Sequence, residues 1–241
     1  MPETIKEVSV GAFRKCGELQ SATWPHKCDV IPADCFAGCL KLTQFDFSNA
    51  KKIEQYAFGN SGLQEVRLQK NIESISNEAF CGCSKLHSVT WNGTCDVIPT
   101  SCFYLCSNLK SFNFSAIKKV GRYAFRASGL QEACLPENIE VVSEGAFDGC
   151  SELHSVIWHC KCNVIPSDCF FKCSNLKAFD FSSIKSIGKD AFNQGGLQRI
   201  DLPATVEKVY ERAFHECRNL QFATWNCKCD EIPDSVSYTH L

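Results

Sequence analysis

Residues 72–91 read IESISNEAFCGCSKLHSVTW, and three close copies of this stretch lie elsewhere in the chain at intervals of 67 residues. The copies are IKEVSVGAFRKCGELQSATW at 5–24, IEVVSEGAFDGCSELHSVIW at 139–158 and VEKVYERAFHECRNLQFATW at 206–225. Their phenylalanine also recurs between the copies, in steps of 22 or 23 residues, at Phe13, Phe36, Phe58, Phe80, Phe103, Phe125, Phe147, Phe170, Phe192 and Phe214. Self-similarity at a fixed short period is the mark of a repeat protein.

Three unlike units, which we call A, B and C, make up each 67-residue period. Unit A is the stretch 72–91, unit B is CDVIPTSCFYLCSNLKSFNF at 95–114, and unit C is IKKVGRYAFRASGLQEACL at 117–135. Each unit ends in alternating apolar residues, which predicts a short strand with one buried face. The polar step before the Ala-Phe pair suits a capped helical turn. One unit cannot bury its own apolar residues, so stacking into a parallel ladder is expected.

The units resemble the BspA-like (Treponema pallidum-type) leucine-rich repeats, whose pattern runs roughly I-x-x-I-x-x-x-A-F-x-x-C-x-x-L-x-x-I-x-L-P. LPENIEVVSEGAFDGC at 135–150 carries this pattern, and the resemblance extends over residues 1 to about 235. It implies an α/β repeat solenoid: a leucine-rich-repeat horseshoe with a parallel concave β-sheet, and short helical turns or short strands on the convex side. Residues 1–235 are therefore expected to form one solenoid of ten units. The C units depart from the pattern because they lack the cysteine after phenylalanine.

Cysteine is the anomaly of the composition, with 18 residues. Fourteen of them replace small or aliphatic core residues of the template, and free cysteine packs as a small hydrophobe. We therefore expect reduced core thiols, with some disulfides between neighbouring coils and a metal site as alternatives. The fourteen are Cys16, Cys39, Cys83, Cys106, Cys150, Cys173 and Cys217 after phenylalanine, Cys35, Cys102 and Cys169 before it, and Cys28, Cys95, Cys162 and Cys229 opening the B units.

Four cysteines do not fit the template: Cys81, Cys134, Cys160 and Cys227. We expect them at exposed positions, where they have drifted, with reactive thiols as the alternative. Cys160 and Cys227 create C-x-C pairs in HCKC and NCKC, where the earlier copies read PHKC and NGTC.

The resemblance implies that the residues between the buried strand hydrophobics form a concave protein-binding surface, the alternative being a merely solvated face. The residues expected to bind protein are Gln44, Asp46, Glu65, Arg67, Ser88, Thr90, Ser111, Asn113, Glu132, Cys134, Asp180, Arg199 and Asp201. The surface they form is polar, of mixed charge and poor in aromatics. No catalytic or phosphate-binding motif is present in the sequence. We expect no enzyme activity, no cofactor and no metal.

Charge and hydropathy bear on other partners. A net charge of −2 gives no reason to expect nucleic acid as a partner. No apolar run approaches the ~18–20 residues needed to span a bilayer, so no direct membrane insertion is expected of this segment.

The two ends of the sequence interrupt the repeat. Met1 stands where the internal repeat has Leu135, and the fourth B unit has Val-Ser at 236–237 where Cys-Phe is due. The final VSYTHL is what one reading frame of a transposase mosaic-end adapter encodes. We therefore expect residues 236–241 to be a non-native tail, and uncapped ends to favour end-to-end self-association.

The leading functional hypothesis is a non-enzymatic protein-binding scaffold. The resemblance implies part of a larger surface or secreted adhesin that engages host or neighbouring-cell proteins. An intracellular protein-interaction solenoid and a structural spacer in a longer repeat array are the alternatives.

Overall fold

Each 22- or 23-residue unit forms one coil of the solenoid. Successive coils are hydrogen-bonded to each other through short parallel strands. The structure, a computed structural model, describes residues 4–229, in which seventeen strands occur. In chain order they are β1 (Ser21–Ala22), β2 (Val30–Ile31), β3 (Gln44–Phe45), β4 (Lys52–Ile53), β5 (Glu65–Leu68), β6 (Ser74–Ile75), β7 (Ser88–Trp91), β8 (Val97–Ile98), β9 (Lys119–Val120), β10 (Glu132–Leu135), β11 (Val141–Val142), β12 (Ser155–Trp158), β13 (Val164–Ile165), β14 (Ser186–Ile187), β15 (Arg199–Leu202), β16 (Lys208–Val209) and β17 (Phe222–Trp225). The result is a parallel β-solenoid.

The first ladder joins the strands that follow phenylalanine in each coil. β1 pairs with β3, β5 with β7, β10 with β12 and β15 with β17, all in parallel register. Within β5, Val66 and Leu68 are buried, whereas Glu65 is half-buried and Arg67 is exposed. The predicted one-sided strand is therefore confirmed in the A and C units.

Two B units do not form the predicted strand, since neither 111–114 nor 178–181 is assigned to one. In the first, Asn113 Oδ1 accepts the backbone N–H of Ser115 at 3.0 Å, and Asp180 makes the same contact in the second. Asp46 makes the same turn in the first B unit, where β3 does form, so the turn marks the end of the segment and does not by itself account for the missing strands. Across the described coils the first ladder is therefore a series of two-stranded sheets.

The second ladder joins the strands that precede phenylalanine. Its three-stranded sheets are β2–β4–β6, β8–β9–β11 and β13–β14–β16. The second residue of each strand is buried, as at Ile31, Ile53 and Ile75. These are the apolar positions five residues before phenylalanine in the repeat pattern.

The helical turn predicted around phenylalanine is wrong, because residues 4–229 contain no helix. In the coil of Phe80, Glu78 and Gly82 both adopt left-handed backbone, with φ of 61° and 72°. The N–H groups of these three residues donate to carbonyl oxygens of the following coil at 2.9, 3.2 and 2.7 Å. An α-helix would keep such donors within itself, so the alternating backbone replaces helical bonds with bonds between coils.

The core is organised around a continuous stack of the ten recurring phenylalanines. All nine successive pairs are stacked, with ring centroids 5.2–5.8 Å apart. Trp24, Trp91 and Trp158 are buried against this stack, edge-on to its rings. Each donates its indole N–H to the carbonyl oxygen of the cysteine four residues later, at 2.7–2.8 Å. These three tryptophans therefore belong to the core.

Most template cysteines lie in the core as predicted. All three before phenylalanine and six of the seven after it are buried. Cys16 is the exception and is exposed, because among the described residues no earlier coil covers it. Cys95 and Cys162 are half-buried, and Cys229 forms a disulfide with Cys227 instead of keeping the expected free thiol.

Three of the four irregular cysteines were wrongly expected to be exposed. Cys227 is half-buried and packs against the core cluster. Cys81 is 8% exposed, and Tyr56 of the preceding coil lies beside it. Cys160 is 6% exposed because its thiol turns inward and joins the core cluster. Cys134 is exposed, as expected. The expectation for Val236–Leu241 lies outside the described residues.

Candidate functional site

The first ladder carries a surface that we call the long-strand face, which corresponds to the predicted concave face. It consists of two parallel rows of side chains, one residue of each row per coil. The first row is Ser21, Gln44, Glu65, Ser88, Ser111, Glu132, Ser155, Ala178, Arg199 and Phe222, and the second is Thr23, Asp46, Arg67, Thr90, Asn113, Cys134, Ile157, Asp180, Asp201 and Thr224. All thirteen predicted site residues lie in these rows, and all but the half-buried Glu65 are exposed.

Strand alternation is what brings these residues onto one face. The intervening residues Val66, Ala133 and Ile200 are buried beneath it, so every second side chain points outward. The register aligns Glu132 with Ser155 and Arg199 with Phe222, which makes each row continuous from one coil to the next within a sheet.

The arginines of this face are both neutralised within their own strands. Arg67 contacts Glu65 at 2.5 Å, and Arg199 contacts Asp201. The Arg199 guanidinium, together with Thr224, holds the pKa of the Asp201 carboxyl below its ordinary value. Because the two rows contain five carboxylates and two guanidinium groups, the face keeps a net negative charge.

Three polar residues of the second row are partly engaged by the backbone. Asp46, Asn113 and Asp180 each use Oδ1 to accept the N–H of the residue two positions later, at 2.9–3.0 Å. Only one side-chain atom is used, and all three residues are exposed. The turn therefore fixes the direction of the side chain and leaves its second polar atom for a partner.

An apolar spot interrupts the polar rows in the second half of the face. Cys134 is the register partner of Ile157, and Ile157 is 44% exposed. Glu132 stands beside this pair in the first row, where its carboxylate lies 3.9 Å from Nε2 of His154. The face thus has one exposed apolar pair beside a carboxylate.

Two open depressions mark the face. One of about 410 Å³ lies over the first coils and is lined by Gln44, Asp46, Glu65, Arg67 and Gln69. The other, of about 760 Å³, lies where the B-unit strand is missing, and its lining includes Thr90, Asn92 and Asn113. Both are open to solvent, so they lack the enclosure of a small-molecule site.

Gln69 and Asn92 were not among the predicted site residues. Each directly follows the last buried residue of its strand, Leu68 or Trp91. The signal was available in the sequence as a polar residue immediately after the alternating segment. It is missed when only the positions between the strand hydrophobics are counted.

Metal binding and membrane insertion are two further possibilities for residues 4–229, the part of the chain that the structure describes. Within that part of the chain, no group of three or more histidine, cysteine, aspartate or glutamate side chains is placed to hold a metal ion. The same residues form no helix long and apolar enough to cross a bilayer.

Comparison with solved structures places the fold among bacterial leucine-rich repeat proteins. A leucine-rich repeat protein from Bacteroides ovatus aligns with a TM-score of 0.66 and 23% identity, covering 97% of this chain and 73% of that one. A leucine rich cell surface protein from Faecalibacterium prausnitzii aligns at 0.61 and 22%, covering 92% and 62%. The leucine rich repeat protein of T. pallidum aligns at 0.55 and 21%, covering 86% and 81%.

Comparison by sequence gives the family. No protein of the curated set matches this chain. The BspA type leucine rich repeat region, in six copies, matches residues 6–131 and 96–221, which together span most of the sequence. The match covers most of the recurring phenylalanine units described above. The chain belongs to the BspA-type leucine-rich repeat family.

Proposed function

We propose that this protein is a non-enzymatic protein-binding scaffold, part of a larger surface or secreted adhesin that engages host or neighbouring-cell proteins through its long-strand face. The observation that carries the proposal is the pair of exposed rows above an aromatic stack that is buried from Phe36 to Phe214. Rows of outward side chains on a fixed ladder need no reorganisation before binding, which lowers the entropic cost of association. The cell-surface protein of Faecalibacterium prausnitzii has the same fold.

The net negative charge of the long-strand face favours a positively charged partner surface. Both arginines are occupied by carboxylates of their own strands, so the free charges are those of Asp46, Glu132 and Asp180. A basic protein surface complements them. The exposed Cys134–Ile157 pair would accept an apolar side chain at the centre of such a contact.

A pair of matched double variants tests the proposal. Glu132→Lys with Ile157→Asp changes the long-strand face, whereas Glu140→Lys with Val141→Asp makes the same changes at exposed residues of the second ladder. Biotinylated protein is incubated with an extract of cell-surface proteins, and captured proteins are quantified by mass spectrometry. Both variants must first show the circular dichroism spectrum and melting temperature of the wild type.

The long-strand variant is expected to lower capture of specific partners at least about tenfold, and the control variant less than about twofold. Capture should also weaken as salt is raised, since exposed charge pairs are screened. Equal capture by all three proteins would contradict the binding role and favour a structural spacer. Equal loss in both variants would place the contact elsewhere.

An intracellular interaction solenoid is the second candidate, favoured by the sixteen free cysteines among the described residues. Cytosolic proteins keep thiols reduced, whereas secreted proteins accumulate disulfides. Protease treatment of intact source cells separates the two, because a surface protein is cleaved and an intracellular one is protected.

A further inference from the structure

Two cysteines lie within one turn at the point where the chain leaves the long-strand face. Cys160 and Cys162 follow β12 and are separated in sequence by Lys161 alone. Cys160 is buried in the core cluster, with its Sγ 4.0 Å from the carbonyl oxygen of Cys162. Cys162 is half-buried and stands nearer to solvent. The pair therefore has an outer thiol and an inner thiol.

The same pair occurs one 67-residue period later. Cys227 and Cys229 occupy the equivalent positions and are joined by a disulfide, with their Cα atoms 5.3 Å apart. That separation is within the range that disulfides require. The first two periods have His26 and Gly93 where Cys160 and Cys227 stand, so only the last two can form the bridge.

We propose that Cys160 and Cys162 form a redox-active dithiol that reduces small-molecule disulfides of the glutathione type and closes into an intramolecular disulfide. This site is separate from the long-strand face and does not depend on the binding role. At the equivalent pair the Cα atoms of Cys227 and Cys229 are 5.3 Å apart, so the backbone of this turn brings two cysteines within bridging range.

The exchange is balanced as follows. The Cys162 thiolate attacks one sulfur of the small-molecule disulfide, forming a mixed disulfide and expelling one small-molecule thiolate. Cys160 then loses its proton to solvent and attacks the Cys162 sulfur, expelling the second thiolate. The protein gives up two electrons and two protons, and the small-molecule disulfide becomes two thiols.

The environment assigns the two roles. The hydrogen bond from Cys160 lowers the pKa of Cys162 to about 7, and the same bond together with burial raises the pKa of Cys160. A thiol near pKa 7 is the better attacking group at neutral pH. Its greater exposure gives it the first contact with an external disulfide, and the buried Cys160 is positioned to resolve the mixed species.

A shared metal site is not an alternative for the two C-x-C pairs. They lie three coils apart, which is about 14 Å at about 4.8 Å per coil. Four thiolates of one zinc ion would have to converge within about 2.3 Å of the metal.

The test uses the full chain, fully reduced and then equilibrated with mixtures of reduced and oxidised glutathione. Free thiols are alkylated after unfolding, and the protein is digested with trypsin, which cleaves between the two cysteines at Lys161. Mass spectrometry is expected to find the two resulting peptides joined by a Cys160–Cys162 bond. Buried Cys102 and Cys169 should remain free thiols under the same conditions.

Two variants separate exchange from passive oxidation. Cys160→Ser removes the resolving thiol. Cys160→Gly removes it too and introduces the residue that stands at the equivalent position, Gly93, one period earlier. Both variants should accumulate a mixed disulfide between Cys162 and glutathione. Cys95 is the internal control, because Gly93 stands two residues before it and it has no partner with which to form the same bridge. The proposal is overturned if Cys162 stays a free thiol at ratios that oxidise Cys227–Cys229. It is also overturned if neither variant traps the mixed disulfide.

Discussion

The Cys83 thiol donates a hydrogen bond to the carbonyl oxygen of Phe58 in the preceding coil, at 3.1 Å. The same contact recurs between the cysteine after phenylalanine and the previous phenylalanine in five further coils, at 3.0–3.3 Å. The thiol thus supplies a bond between coils as well as apolar volume. In the C units Ser61 and Ser128 stand at this position, and their hydroxyls contact the sulfur of the next coil at 3.3 and 3.4 Å.

Replacing one of these thiols is expected to destabilise the protein. Cys83→Ala removes the donor to Phe58 and leaves a void in a site with no solvent access. The expected loss in unfolding free energy is about 1–3 kcal/mol, measured by urea denaturation under reducing conditions. Cys134→Ala at the exposed cysteine is the control and should change stability by less than about 0.5 kcal/mol. Equal effects of the two changes would show that the buried bond contributes nothing.

The same thiols predict a loss of stability at alkaline pH. Burial raises the pKa of Cys83 and Cys150 from the ordinary 9.0 to about 12. Below pH 9 both folded and unfolded chains hold the proton, so the full contribution is present. Between about pH 9 and about pH 12 only the unfolded chain loses its proton, and folding stability falls by up to about 4 kcal/mol for each such thiol.

To test whether Cys83 ionisation lowers stability as the pH rises, the unfolding free energies of the wild type and Cys83→Ala are compared from about pH 8 to about pH 11. The alanine variant should be less stable at the lower pH, and the difference should narrow as the pH rises. Parallel curves for the two proteins would rule out a contribution of Cys83 ionisation.

The phenylalanine stack predicts that position along the solenoid sets the cost of truncation. Phe103 is fully buried and stacks on Phe80 at 5.8 Å and on Phe125 at 5.4 Å. Phe13 stacks on Phe36 only and is half-buried. Phe103→Ala should therefore cost about 3–5 kcal/mol and Phe13→Ala clearly less. Denaturation measured through tryptophan fluorescence provides the comparison, and a larger loss at Phe13 would refute the central role of the stack.

The period of the sequence was sufficient to predict the ladders but not the backbone between them. Spacing of Phe80 from its neighbours, and of Ile72 and Ile75 before it, predicted which residues are buried. The Asx turns at Asn113 and Asp180 were not anticipated, because a polar residue between two phenylalanines also fits an exposed strand position. Pattern alone cannot decide whether such a side chain bonds its own backbone or faces solvent.

The helical turn was predicted because each local step, from a polar residue to Ala-Phe, is compatible with helix. The contrary signal is spread over several units, at Gly38, Gly82 and Gly149, which follow phenylalanine by two residues and have φ of 70–74°. Glycine favours that left-handed region. Other units have residues other than glycine at this position, so the sequence of a single unit does not reveal that the backbone must be left-handed there.

That requirement gives a final prediction, in which two exposed leucines respond oppositely to glycine. Leu105 is 45% exposed with φ of 61°, whereas Leu40 is 59% exposed and is not among the residues with positive φ. Leu105→Gly relieves an unfavourable left-handed conformation and should raise the unfolding free energy by about 0.5–1 kcal/mol. Leu40→Gly relieves no backbone strain and increases the conformational entropy of the unfolded chain. It should therefore lower the unfolding free energy by about 0.5–1 kcal/mol. Urea denaturation of both variants is the measurement, and a loss of stability in both would contradict the alternating backbone that joins the coils.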